Sequence, residues 1–289
     1  MVGILKRYFQ KHNFVLRKGE NTSILFTLVW NCVLHKKLQI YKWLHSIHRP
    51  IVHYYAVSWN EEKMLPLVFE YYDRFVDKFI IYDNYSTDGS ESIIESYSNA
   101  EIRKFHSNGF NDVVQNEIKN NCWKKSRGKA NFVIVCDVDE VLYHPRILEV
   151  LSNMQKEKVS IPAIDGFNMY SDGFPTEGKI ITEQIKTGVP DAAYSKNIIF
   201  DPHRIVEIGN TPGGHTSSPL GIVEKGEIHL KLLHYKNLGG DYLLKRHRLL
   251  ADRLSETNIK EGLGVHLLYP EEKVLQSFKE NLNRSQPVI

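Results

Sequence analysis

Residues 131–136 (NFVIVC) give way in a single step to Asp137, Val138, Asp139 and Glu140. A short, nearly continuous apolar run of this kind reads as a strand buried on both faces, which calls for a parallel sheet covered by helices on either side. Open sheets of that type bind ligands just beyond the carboxyl ends of their strands. Three carboxylates in four positions therefore stand where a ligand is expected. Strand alternation would put Asp137 and Asp139 on one face, about 7 Å apart at Cα. Two such carboxylates repel unless a hard cation sits near them, and oxygen ligands suit Mg2+ or Mn2+, which would in turn hold a diphosphate.

The preceding sequence repeats the same unit. Apolar, β-rich runs at 53–57, 78–82 and 102–105 alternate with helical patterns at 65–76, 91–97 and 111–125. Such alternation predicts an α/β domain. The first strand runs into Ser58-Trp59-Asn60-Glu61-Glu62 and the second into Asp83-Asn84-Tyr85-Ser86-Thr87-Asp88-Gly89. Beyond residue 151 Gly and Pro break the pattern, extended pieces are expected at 159–161 and 227–233, and helical periodicity returns at 241–254 and 271–282. The expected division is a basic, helical extension over 1–50 and a domain over 51–289. Within that domain, 51–150 would hold a nucleotide and 151–289 an acceptor.

With 42% hydrophobic residues in 289, the chain can bury a large core. The longest apolar stretch, 24–34, is interrupted by Thr27, Asn31 and Cys32, is too short to span a bilayer and lacks a signal-peptide cleavage pattern. Three widely spaced cysteines, Cys32, Cys122 and Cys136, argue for a reducing compartment, so the expected location is the cytoplasm. Residues 1–50 hold nine Lys and Arg against Glu20 alone, a segment charge of +8 that leaves −5 for the rest of a chain of net +3. That leader is a candidate for peripheral contact with the inner face of the plasma membrane. An acidic body with no recognisable binding motif excludes nucleic acid as a partner.

Three blocks resemble glycosyltransferases of the GT-A fold, in particular the family 2-like group that assembles bacterial surface polysaccharides: AVSWNEEKMLP, FIIYDNYSTDGS and VIVCDVDEVLY, separated by about 25 and 55 residues. A fourth, LHYKNLGGDYLLKR, resembles a block in related transferases in which a histidine precedes a basic helix. The resemblance implies a Rossmann-like GT-A fold with a mainly parallel central sheet. It also implies transfer of a sugar from a nucleotide-sugar, a UDP-sugar first among them, to a saccharide or lipid-linked saccharide acceptor in capsule, lipopolysaccharide or exopolysaccharide synthesis. By the same resemblance, Asp137 and Asp139 hold Mn2+ or Mg2+ and His234 completes the metal site.

The donor would meet Ser58, Trp59, Asn60, Glu61, Asp83 and Asp137. In this assignment Asp83 accepts from the base or ribose, Trp59 stacks, and Glu61 orients backbone or a basic side chain. Lys236, Lys245, Arg246 and Arg248 are candidates to neutralise the departing diphosphate, and His215 to touch acceptor or phosphate. Asp88, three residues before Glu91, reads as a helix cap. An inverting enzyme needs a base for the acceptor hydroxyl, for which Asp191 is preferred over Asp165 and Asp172. VIVCDVDEVLY is also similar to the first motif of haloacid-dehalogenase-type phosphatases, with Asp137 as nucleophile and Gly240-Asp241 the nearest partner motif. A non-catalytic nucleotide- or carbohydrate-binding module is the remaining alternative.

Overall fold

The computed structural model describes residues 14–15 and 21–289; Lys6, Arg7, Lys11, Arg17, Lys18 and Glu20 lie outside the described residues. The first half is built as the alternation demands. Strands β2 (Val52–Ser58), β3 (Lys78–Asp83), β4 (Ala100–Lys104) and β5 (Phe132–Asp137) pair in parallel in the order β4-β3-β2-β5, and β9 (Ile199–Phe200) closes the β5 edge antiparallel. Helices α2 (Leu65–Tyr72), α3 (Ser90–Glu95) and α4 (Asp112–Asn121) make the connections. β2 and β5 are buried almost end to end, which accounts for their unbroken apolar sequence.

This is the mainly parallel α/β arrangement expected of a GT-A domain. A second sheet, order β13-β8-β7-β12-β6, adjoins it. It contains β6 (Glu140–Tyr143), β7 (Ala163–Ser171), β8 (Thr187–Pro190), β12 (His229–Leu238) and β13 (Gln286–Pro287). β12 runs parallel to β7 and antiparallel to β6, in a register that sets His234 opposite both Glu140 and Asn168. Helix α5 (Ile147–Glu157) links β6 to β7, and α6 (Ile181–Gln184) precedes β8. Helices α7 (Gly240–Ala251), α8 (Glu256–Glu261) and α9 (Glu271–Arg284) follow β12.

The two sheets share one core, and α2 is its wedge. Phe69 stacks on Phe79 of β3 with ring centroids 4.5 Å apart. Tyr71 and Tyr72 reach the other way: their hydroxyls donate to the carbonyls of Leu142 (2.8 Å) and Glu140 (3.1 Å) in β6. The strand that leaves the carboxylate segment is thus anchored from outside the second sheet.

A small third sheet joins β1 (Phe14–Val15), β11 (Leu220–Ile222) and β10 (Ile205–Glu207). Helix α1 (Asn21–Leu44) lies against it, burying Ile24 and Leu28 with Val206, Leu220 and Ile222, while Leu38 packs on Ile51 and Ala130. No helix among the described residues is long and apolar enough to cross a membrane.

Some boundaries differ from the sequence reading. The helix expected over 65–76 stops at Tyr72, and that over 111–125 tightens into a 3-10 turn at Cys122–Ser126. No strand forms at 159–161. Ser160 there exchanges hydrogen bonds with the backbone of Glu224, and the strand begins only after Pro162, at Ala163.

Candidate functional site

Strand β5 ends at Asp137 and the chain turns through Val138 and Asp139 before β6 begins at Glu140. The two aspartates therefore do not alternate along one strand, as their spacing suggested; they share a cleft because they flank a turn. The turn is stitched in place by Tyr235 N, which donates to Asp139 O at 2.8 Å, and by Asp137 N, which donates to Glu140 Oε2 at 3.1 Å. Glu140 itself faces inward, fully buried, in an ion pair with Lys196 at 2.5 Å, so the third carboxylate of the motif is structural.

The cleft lies beyond the carboxyl ends of β2, β3 and β5, the position expected of a parallel sheet. It brings together Ser58, Trp59, Glu61, Asp137, Asp139 and His234 from the sequence reading, with Lys236 and Arg246 of the basic candidates. Lys119, Asp112, Tyr194, Tyr242 and Arg253 also line it, and sequence reasoning missed all five. Lys245 is exposed outside it and Arg248 pairs with Glu271.

Each aspartate has a nitrogen partner. Lys119 Nζ, from α4, is 2.6 Å from Asp137 Oδ1, and His234 Nε2, from β12, is 3.2 Å from Asp139 Oδ2. Loss of water would raise both carboxyls. Against it, His234, then Arg246 and Lys236, hold Asp139 well below the usual carboxylate range, and Lys119 and Lys196 pull Asp137 below its ordinary value. Burial in turn lowers Lys236, although Asp139 opposes it.

The orientation of His234 follows from its other nitrogen. Asn168 Nδ2 is 2.7 Å from Asp191 Oδ2, and because a carboxylate only accepts, the amide nitrogen must face Asp191. Asn168 Oδ1 then faces His234 Nδ1 at 2.7 Å and accepts a hydrogen bond from it. Nε2 is left toward Asp139. Tyr194 stacks on the imidazole, centroids 4.0 Å apart, and Gly166 makes room for that contact: a Cβ there would sit 2.2 Å from the Tyr194 carbonyl carbon.

Two ligands at right angles on a cation, each about 2.1 Å from it, stand about 3 Å apart, which is the spacing of Asp139 Oδ2 and His234 Nε2. The donor set, a carboxylate and an imidazole with a fixed tautomer and a second carboxylate beside them, fits Mn2+ or Mg2+. No cluster of three or more such ligands is preformed among the described residues, and Lys119 is paired with Asp137.

Other expected residues serve the walls. Glu61 pairs with Arg246, which also donates to the carbonyl of Asn60 at 2.7 Å. Trp59 carries the Arg253 guanidinium 3.7 Å over its ring. The Ser58 hydroxyl is buried without a partner at the cleft. Asn60 does not line the cleft; its side chain accepts from Thr87 N at 2.7 Å and ties two strand-end loops together.

Further expectations are corrected. Asp83 is fully buried and accepts from Ser86 N and Oγ and from Lys104 Nζ, so its carboxylate organises its own loop instead of reaching the cleft. Asp88 does receive Ser90 N at 3.0 Å, but Glu91 pairs with Lys104 instead of completing a capping box. Asp191 lies outside the cleft, with one oxygen on Ala193 N and the other on Asn168. Asp165 and Asp172 are exposed elsewhere, as is His215, whose ring bonds Ala193 O. Gly240-Asp241 opens α7 with Asp241 exposed, so it gives Asp137 no acidic partner.

Among solved structures the chain is similar to TarS of S. aureus, residues 1–349, at 12% identity and TM-score 0.41 over 72% of this chain and 68% of that one. It is similar to the same protein in complex with UDP at 13% identity and TM-score 0.41, over 75% and 70%. Glucosyl-3-phosphoglycerate synthase from Mycobacterium tuberculosis, in complex with Mn2+, UDP and glucosyl-3-phosphoglycerate, matches at 17% identity and TM-score 0.29 over 40% and 44%. No curated protein sequence matches the chain. Residues 52–286, which carry both sheets and every side chain of the cleft, match the family model of glycosyltransferase family 92, and the chain belongs to that family.

Proposed function

We propose that this glycosyltransferase moves a sugar from a nucleotide-sugar, with UDP-sugars the first candidates, to a saccharide or lipid-linked saccharide acceptor in surface polysaccharide synthesis, with Mn2+ or Mg2+ bound at Asp139 and His234. The observation that carries the reading is the pairing of Asp139 Oδ2 with His234 Nε2 at 3.2 Å, on an imidazole whose other nitrogen is committed to Asn168. Among the solved structures similar to the chain are a UDP complex of TarS and a Mn2+ and UDP complex of the mycobacterial synthase, which fit the same choice of donor and cation.

The cation, when bound, neutralises charge on the departing nucleoside diphosphate. The chain supplies the rest. Lys236 and Arg246 line the same cleft and add fixed positive charge where the leaving group accumulates negative charge. Lys119 keeps Asp137 ionised and can pass from the carboxylate to a phosphate oxygen as donor enters. Trp59, steadied by Arg253, offers an aromatic wall to a base, and the unpartnered Ser58 hydroxyl a hydrogen bond. Two carboxyls of the cleft are raised by burial: Glu61, pushed up to about 8 but paired with Arg246, and Asp112, raised also by Asp137 while Lys119 and its Asn258 hydrogen bond oppose. A raised carboxyl suits Asp112 better than the distant Asp191 to take the acceptor proton.

The test is a thermal-shift series with UDP, GDP, CDP and dTDP, each with Mn2+, Mg2+ or EDTA, on the wild type and Asp139→Ala. The expected result is stabilisation by one nucleotide that needs the cation and disappears in the variant. Equal stabilisation in EDTA would remove the metal from the reading and leave the donor class standing.

A further inference from the structure

Helix α1 is apolar on two opposite faces. The inner face is the heptad-spaced set Ile24, Leu28, Asn31, His35, Leu38 and Lys42, turned to the protein. Asn31 donates to His203 O at 3.0 Å, and the Lys42 amine reaches Asn131 Oδ1 at 3.2 Å, so polar members of that face bond inward to the protein, although Asn31 Oδ1 is buried without a partner. About half a turn away runs a second stripe at the same spacing, Phe26, Trp30, Val33, Ile40 and Leu44, with Trp43 at its edge. Phe26 is 74% exposed, Trp30 56%, Trp43 78% and Leu44 65%. Side chains of this size do not collect by chance on one solvent-facing stripe of a soluble helix.

The charge around the stripe identifies what covers it. Lys37 falls within the stripe, between Val33 and Ile40, and Lys36 beside it; both are exposed. From Asn21 to Asn60 the sequence contains no Asp or Glu, and the preceding segment adds Lys6, Arg7, Lys11, Arg17 and Lys18. If two copies met through this stripe, Lys37 would be buried in an apolar contact with no carboxylate on either helix to pair with it. An anionic bilayer surface avoids that: the lysine stems lie along apolar surface while their ammonium groups reach headgroup phosphates, and tryptophan prefers that boundary.

We propose that the outer face of α1 docks the protein on an anionic membrane surface, lying in the headgroup plane without crossing the bilayer. The docking does not depend on the choice of donor or cation. It confers a preference for lipid-borne or membrane-proximal acceptors, because the enzyme works where such acceptors are confined.

The experiment is flotation of the full chain with vesicles of phosphatidylcholine alone or mixed with phosphatidylglycerol, combined with light scattering in the absence of lipid. Wild type should float with the anionic vesicles only. The triple variant Phe26→Ser/Trp30→Ser/Trp43→Ser should lose binding by roughly tenfold or more while keeping the wild-type melting temperature, since none of the three side chains is buried. Lys36→Glu/Lys37→Glu should lose the dependence on anionic lipid. Flotation of the triple variant at wild-type levels would overturn the assignment of this face. A wild-type dimer that ignores vesicles and becomes monomeric in the triple variant would assign the stripe to a second copy of the chain.

Discussion

His234 Nδ1–H donates a hydrogen bond to Asn168 Oδ1 across 2.7 Å, and Asn168 presents that oxygen because its amide nitrogen is committed to Asp191. The pair fixes which imidazole nitrogen faces Asp139, an outer contact of the kind that governs metal affinity at histidine sites. Asn168→Ala should weaken Mn2+ affinity about 10- to 100-fold while leaving the melting temperature of the metal-free protein nearly unchanged. Isothermal titration in the presence of the nucleotide reads the first, and calorimetry the second.

Asp191 acts one step further back. Asp191→Asn should reduce transfer by about tenfold or less, through a loosened Asn168, with kcat falling and the apparent Mn2+ requirement rising. A loss of about 10²- to 10⁴-fold in kcat at unchanged metal affinity is what a general base would give and would restore Asp191 to that role.

Lys196 and Glu140 form an ion pair with side chains 6% and 2% exposed. Removing one partner strands the other as a buried charge. Lys196→Met is expected to destabilise by about 3–5 kcal/mol, and Lys196→Met with Glu140→Gln by clearly less. Urea denaturation of wild type, both single variants and the double variant gives the coupling.

His53 is buried within β2, its ring on Ser126 Oγ at 2.7 Å, and burial pushes its pKa down to about 4. The folded state therefore binds this proton later than the unfolded state. The contribution is intact above the unfolded pKa of about 6.5 and is lost as pH falls toward 4, by up to about 3 kcal/mol. In His53→Phe the stability profile should be flatter than wild type between pH 6.5 and 4, read as denaturation midpoints across that interval.

Arg253 rests on Trp59, in a cation–π contact worth about 0.5–2 kcal/mol with the guanidinium carbon 3.7 Å from the ring centroid. Arg253→Ala should lower nucleotide affinity about 3- to 10-fold, measured by the same thermal-shift series, with metal dependence retained.

The first half of the fold was legible because β2 and β5 are buried almost end to end and end where the cleft begins, β2 in Ser58 and β5 in Asp137. His234 and Arg246 were legible by resemblance alone. Lys119, Lys196 and Arg253 were not, because a lysine or arginine on a polar helix or in a loop looks the same whether it faces water or a carboxylate 18 or 56 residues away. Asp83 misled for the converse reason. It stands at the strand end where ligands bind, but Ser86, three residues on, folds back and takes it first.

The ladder between β6, β7 and β12 measures out the catalytic chemistry like a ruler. Its period of two turns His234 and Lys236 to the cleft and Leu233 and Tyr235, both fully buried, to the core. Adding or deleting a single residue within 229–233 would present Leu233 and Tyr235 to the substrate and drive an imidazole and an ammonium into oil. Length is therefore constrained in this strand in addition to residue identity: a one-residue change of count would misplace both faces at once.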